Sequence, residues 1–411
     1  MSAVPTCDVA IIGAGPAGAV AAGILSRKGH DVVVLERETF PRFSIGESLL
    51  PQCMAFLDEA GMSSVVEAGG FQPKNGAAFE RAGVRSSFDF SDKFSPGEAT
   101  TFQVQRAPFD KLLADEAGKA GAAIHYGCTL TGARFEETSA CLSYDDAGGR
   151  SGELRARFCL DASGFGKSLA RLLDLEAPGE GPARESIFTH VRHRLEDDGF
   201  DRNKILITVH PEHHFVWFWL IPFADGTASL GVVGPQAFFA DFAGDALAAL
   251  QAIVAQTGCL GELLRGAEYP VPVRRVTGYA SQVTRLHGPG FALLGNAGGF
   301  IDPVFSSGVT IALKSASLAA GLLDRQLSGE STDWQQDYAL PLGRGVETFR
   351  QFVSAWYDTR LQDIIFSRDH NPRIRRMICS ILAGYAWDQD NPYVAQPKRR
   401  LAVLAELCRG R

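Results

Sequence analysis

The chain has no C-x-x-C pair. Its eight cysteines, Cys7, Cys53, Cys128, Cys141, Cys159, Cys259, Cys379 and Cys408, are scattered over 411 residues. That spacing excludes a disulfide framework and predicts reduced thiols in a cytoplasmic protein. Charge of one sign is not concentrated either: 40 Lys and Arg stand against 47 Asp and Glu, for a net charge of −7, and the basic residues are spread along the chain. With no basic stripe for nucleic acid or an anionic membrane, the expected partners are small molecules and proteins. Internal repeats, a long low-complexity linker and a G-x-S-x-G elbow are also missing, which removes repeat architectures and a hydrolase. One long apolar run exists, Val9 to Leu25. No basic residue precedes it and it holds five glycines or prolines, so it reads neither as a signal peptide nor as a membrane span.

What the chain does have is a 45% hydrophobic composition, enough for a large core shared by two lobes and an appendage. Val9 to Ile12 is a short β-branched run ending in Gly13-Ala14-Gly15-Pro16-Ala17-Gly18. Ala- and Leu-rich sequence continues to Arg27, Gly29 interrupts it, and Asp31 to Leu35 reads as a second strand ending at Glu36. This strand, glycine turn, helix, strand order is that of a dinucleotide-binding unit. Gly13 allows the tight turn, Gly15 lets a pyrophosphate approach the backbone, and Gly18 lets helix and strand pack closely. Glu36 follows at the distance expected of a carboxylate on a ribose hydroxyl. No second G-x-G-x-x-G follows a strand, so a resident nicotinamide has no site.

Two segments interrupt the nucleotide-binding pieces, residues 71–100 and 176–276. The second alternates apolar and polar residues at Lys204 to His210 and Phe215 to Ile221, which predicts a second lobe built on a mostly antiparallel sheet. The expected division is a discontinuous nucleotide domain of residues 1–70, 101–175 and 277–331, a β-sheet domain of 71–100 and 176–276, and a helical appendage of 332–411. In Phe215 to Pro222, FVWFWLIP, strand alternation puts Trp217, Trp219 and Ile221 on one face. His210, His213 and His214 read as a hairpin connection rather than metal ligands, since no fourth ligand is suitably spaced. The alternating charges of Arg184 to Asp198 read as a solvated face.

Three further stretches, FQVQRAPFD (Phe102 to Asp110), LDASG (Leu160 to Gly164) and FALLGNAGGFIDP (Phe291 to Pro303), resemble in that order the aromatic-hydroxylase type of FAD-binding fold. The resemblance implies an α/β, Rossmann-like FAD domain, FAD rather than NAD as cofactor, and flavin contacts at Arg106, Asn296 and Asp302. The residue after Gly295 is usually aspartate in that family; Asn296 keeps hydrogen-bonding capacity without the charge. Within this fold, W-x-W-x-I-P at Trp217 to Pro222, F-x-x-P-x-x-S-x-G at Phe300 to Gly308, K-x-G-x-x-F at Lys74 to Phe79 and PRFSIGESLLP at Pro41 to Pro51 resemble the flavin-dependent halogenases of phenol and pyrrole type. That resemblance places Gly46, Glu47 and Ser48 beside the flavin.

The same resemblance implies a two-component enzyme that receives reduced FAD from a separate flavin reductase. Trp217 and Trp219 would screen the organic substrate from oxygen activated at the flavin. Backbone amides at Ser307 and Gly308, opening a helix near Val309, would hold chloride or bromide. Lys74 would take the resulting hypohalous acid, as a haloamine or by hydrogen bonding. Tryptophan halogenases carry a glutamate where this chain has Phe305, so the expected substrate is a self-activating phenolic or pyrrolic ring, free or tethered to a carrier protein that Arg373, Arg375 and Arg376 could receive. A monooxygenase or alkene reductase on the same fold, or a non-catalytic flavin-binding protein, remain alternatives.

Overall fold

Thr6–Ile12 forms the central strand of an eight-stranded sheet. It pairs in parallel with Val32–Glu36 on one side and with Ser151–Asp161 on the other. Ala123–Tyr126 adds beyond Val32–Glu36, and Phe291–Leu293 beyond Ser151–Asp161, both parallel. Parallel strands of this kind are covered on both faces, and Val9, Ala10 and Ile11 are fully buried. The helix Pro16–Arg27 follows the glycine turn, with Pro16 in its first turn, where a missing amide hydrogen leaves nothing unsatisfied. The computed structural model describes residues 4–136, 139–179, 183–192, 200–242, 244–278, 281–367 and 371–409.

A second, seven-stranded sheet runs in the order Arg274–Thr277, Arg184–Arg192, Thr227–Pro235, Trp217–Pro222, Lys204–Val209, Gly76–Arg81 and Val84–Asp89. Only Lys204–Val209 with Gly76–Arg81 is parallel; the other pairs are antiparallel. Lys204–Val209 and Trp217–Pro222 are buried along their whole length. On one face Leu206, Phe218 and Leu220 pack against the helices Ala246–Ala255 and Gly258–Leu263. On the other, Ile207, Trp217, Trp219 and Ile221 join the main core.

The C-terminal region is helical, with Leu340–Tyr357, Arg360–Phe366, Pro372–Leu382 and Pro397–Arg409 as its longer elements. It is not peripheral. Phe349, Phe352 and Trp356 are fully buried in the same core as the nucleotide-binding helix. Arg373 and Arg376 are exposed, Arg376 pairing with Asp92 at 2.6 Å, whereas the half-buried Arg375 stacks on Phe88 and donates to the Ser87 carbonyl. Among the described residues, no single helix is long and apolar enough to cross a membrane.

Candidate active site

The glycine turn lies where the sequence places it. Gly13 has φ +95°, and a Cβ there would stand 2.7 Å from the Ala162 carbonyl oxygen. Gly18 is packed rather than exposed, since a Cβ on it would meet the Gly13 oxygen at 1.9 Å. Glu36 is buried; its Oε2 accepts from the Ala14 amide at 2.8 Å and its Oε1 from the Glu38 amide at 2.9 Å. Asp161, fully buried, holds the turn after its own strand by accepting from the amides of Ser163 and Leu169. Burial pushes its carboxyl above the usual range, against those bonds.

These elements line one cavity of about 910 Å³. Gly13, Gly15 and Glu36 line it. So do Gly46, Glu47, Ser48, Arg106 and Asn296, and Trp217, Trp219, Ser306 and Gly308. Gly18, Lys74, Asp302 and Ser307 are not part of the wall. The volume, the glycines without room for side chains and the ribose-distance carboxylate fit an extended dinucleotide. Arg106 braces this lining: its Nε and Nη2 donate to Asp110 at 2.7 and 2.9 Å, and its Nη1 donates to the Ile45 carbonyl.

Trp217 and Trp219 lie side by side on the cavity lining. The two indoles are tilted rings with centroids 5.9 Å apart, 2% and 7% exposed for Trp217 and Trp219. Trp219 Nε1 donates to Ser229 Oγ at 3.0 Å, and its ring lies over Gly231, whose missing side chain makes the space. Opposite, Asp302 caps the short turn Pro303–Phe305, Ser306 adopts a left-handed φ of +57°, and the helix Ser307–Leu327 begins. That start is two residues earlier than expected at Val309, because the left-handed Ser306 already turns the backbone into the helix. No side chain caps its first amides.

Lys74 ends the short strand Gln72–Lys74 and is 1% exposed. Its Nζ donates to Ser48 Oγ at 2.7 Å and to the Leu49 carbonyl at 2.8 Å, so Ser48 stands between the lysine and the cavity. Among the described residues it forms no ion pair. Burial pushes its amine down to about 7.

Several groups around the cavity carried no recognised motif. His190 Nε2 lies 2.8 Å from Glu47 Oε1. Burial opposes the imidazolium, yet the hydrogen bond and charge of Glu47 raise the His190 pKa above its ordinary value. The second oxygen, Glu47 Oε2, is buried without a protein partner on a residue that lines the cavity. His190 and Arg184 belong to the largely buried strand Arg184–Arg192, which corrects the solvated-face reading of that segment; residues 193–199 lie outside the described residues. Tyr357, at the end of the helix Leu340–Tyr357, bonds to both Trp217 and Asp302. His210 behaves as a turn residue, its Nδ1 accepting from the amides of Glu212 and His213.

Residues 6–237 match the model of an FAD-binding domain family. A crystallised flavoprotein/dehydrogenase of Cytophaga hutchinsonii superposes with a TM-score of 0.96 at 41% identity, covering 98% of this chain and 99% of that one. A 1H-pyrrole-2-carbonyl-[peptidyl-carrier protein] chlorinase of Pseudomonas fluorescens is 28% identical over 97% of this chain and 94% of its own length. A flavin-dependent halogenase of Metacordyceps chlamydosporia is 30% identical over 86% of this chain and 72% of its own. On these matches the chain belongs to the FAD-binding proteins of aromatic-hydroxylase type and, within them, to the flavin-dependent halogenase family.

Proposed function

We propose that this protein halogenates an electron-rich phenolic or pyrrolic ring, free or carrier-bound, using oxygen, chloride or bromide, and reduced FAD delivered by a separate flavin reductase. One observation carries the reading. Trp217, Trp219 and Gly308, from the uncapped first turn of the helix Ser307–Leu327, line the same cavity as the glycine cradle. FAD, when bound in its reduced form, supplies oxygen activation there. Trp217 and Trp219 fill the space a ring would need to approach, which leaves room for a small anion. The amides of Ser307 and Gly308 suit halide, being unpaired donors at the positive end of a helix dipole.

Lys74 acts on hypohalous acid. The neutral amine, favoured by its burial, forms an N–X bond as water leaves, and the ring then takes the halogen and gives up its proton. Ser48, on the cavity wall and bonded to Lys74, is the contact through which the acid reaches the amine. Phe305 can accept no proton, so the ring activates itself through an oxygen or nitrogen lone pair.

One observation favours a second reading, a monooxygenase or alkene reductase: Lys74 lies behind the cavity wall rather than on it. Incubation with reduced FAD, oxygen, bromide and phenol or pyrrole probes separates the two. Brominated product supports the proposal; hydroxylated or saturated product sinks it.

A further inference from the structure

We propose that Tyr357 is a positioning residue that locks the tryptophan wall to the halide turn, a role that rests on the halogenase reading. An indole N–H can only donate, so the Tyr357 oxygen accepts from Trp217 Nε1 at 2.8 Å and its own proton goes to Asp302 Oδ2, also at 2.8 Å. The directions are therefore determined by chemistry. The other oxygen, Asp302 Oδ1, accepts from the Val304 amide at 3.3 Å inside the turn that leads to Ser306, Ser307 and Gly308. One carboxylate thus holds the turn with one oxygen and the tyrosine with the other. Arg184 closes the arrangement: its guanidinium lies 3.5 Å over the Tyr357 ring, and its Nη1 is 3.7 Å from Asp302 Oδ2.

The three anchored elements are distant in sequence. The wall comes from the strand Trp217–Pro222, the turn from residues 302–308, and the clamp from the end of the helix Leu340–Tyr357. A phenol bonded to a carboxylate is a stronger acceptor than a neutral pair would make it. The gap between the Trp217 ring and the helix start is consequently set by one neutral and one charge-assisted hydrogen bond rather than by apolar packing alone. Removing the hydroxyl leaves the ring in place and frees the wall from the turn.

The test compares Tyr357→Phe with Tyr338→Phe, a control that deletes a fully buried hydroxyl bonded to the Leu293 carbonyl rather than to the wall or the turn. Bromide is titrated into FAD-loaded protein and followed by flavin absorbance, and turnover is measured with a reductase. For Tyr357→Phe we expect bromide affinity and bromide KM to worsen about tenfold with kcat within about twofold. Peroxide release per reduced flavin should rise, and Tyr338→Phe should change neither quantity. Asp302→Asn breaks the same link from its other end, so the double variant should be no worse than the weaker single variant, within about threefold. Bromide affinity and peroxide release equal to those of Tyr338→Phe, or additive losses in the double variant, would overturn the proposal. A parent that binds bromide but halogenates no ring would overturn the functional reading instead, and the titration would still decide whether Tyr357 ties the wall to the turn.

Discussion

Replacing Lys74 by methionine keeps the length and apolar stem of a buried side chain and removes its only ionisable group. In the unfolded chain the amine titrates near 10.5 and in the folded protein at about 7. Between those values the unfolded chain binds the extra proton, so stability contributed by this site rises with pH. Below about pH 7 both states are protonated and the folded protein bears the whole cost of a buried ammonium, about 5 kcal/mol for a pK difference of about 3.5. Above about pH 10.5 that cost is gone. Evaluated on either side of about pH 7, it is about 4.6 kcal/mol at about pH 6.5 and about 2.1 kcal/mol at about pH 9. Wild type should therefore gain about 2.5 kcal/mol on Lys74→Met over that interval. Guanidinium unfolding of both FAD-saturated proteins at the two pH values measures this difference, and every other titrating group cancels in it. Product formation should rise in parallel through about pH 7, as the neutral amine becomes available to form the N–X bond. A stability difference flat to within about 0.5 kcal/mol would mean that Lys74 titrates as an ordinary lysine and stays charged, and the haloamine route would fall with it.

Lys74→Ala should abolish halogenated product while flavin reoxidation continues at a similar rate, measured by absorbance; near-parental halogenation would remove the lysine from the chemistry. The protein alone should oxidise NADH and NADPH negligibly, and an unrelated flavin reductase should restore turnover; rapid hydride transfer to the isolated protein would contradict the single dinucleotide site. A Cβ on Gly231 would stand 2.2 Å from the Trp219 ring, so Gly231→Ala should destabilise by about 1 to 3 kcal/mol and raise peroxide release by displacing the wall, seen in thermal melts and a peroxidase-coupled assay. Free tryptophan should not be halogenated, because Phe305 offers no proton acceptor, whereas phenols or pyrroles should be; mass spectrometry of both reactions decides it.

The nucleotide end was legible because its information is local. Strand, glycines, helix and Glu36 lie within about thirty residues, and each glycine has a steric reason that survives any tertiary context. The tryptophan face was legible for a similar reason, since alternation along a strand needs only the pleat. Alternation says which residues share a face and not what covers the other one. Residues of the helices Ala246–Ala255 and Gly258–Leu263 bury Phe218 and Leu220, and nothing in FVWFWLIP announces them. Tyr357 was invisible because its two partners lie 140 and 55 residues away, and a tyrosine at a helix end has no motif. Arg184 and His190 were hidden by their charged neighbours, which look solvated until the strand is seen between two others. Lys74 could be picked out by its setting, but its complete burial and its link to Ser48 depend on the separate loop at residues 46–49.

The parallel sheet beneath the cofactor cradle is threaded out of order, and this bears on how the protein is made. The strand Phe291–Leu293 pairs with Ser151–Asp161, so that flank of the sheet stays open until some 130 further residues have been synthesised, roughly 7 to 26 s at ordinary translation speeds. In that interval the seven-stranded sheet, with its own helix-covered core, can form as a separate unit. A nascent chain ending before residue 290 would carry the glycine turn and yet lack the strand and turn that bring Asn296 to it. Capture of the cofactor by the complete cradle is then a late event in biogenesis.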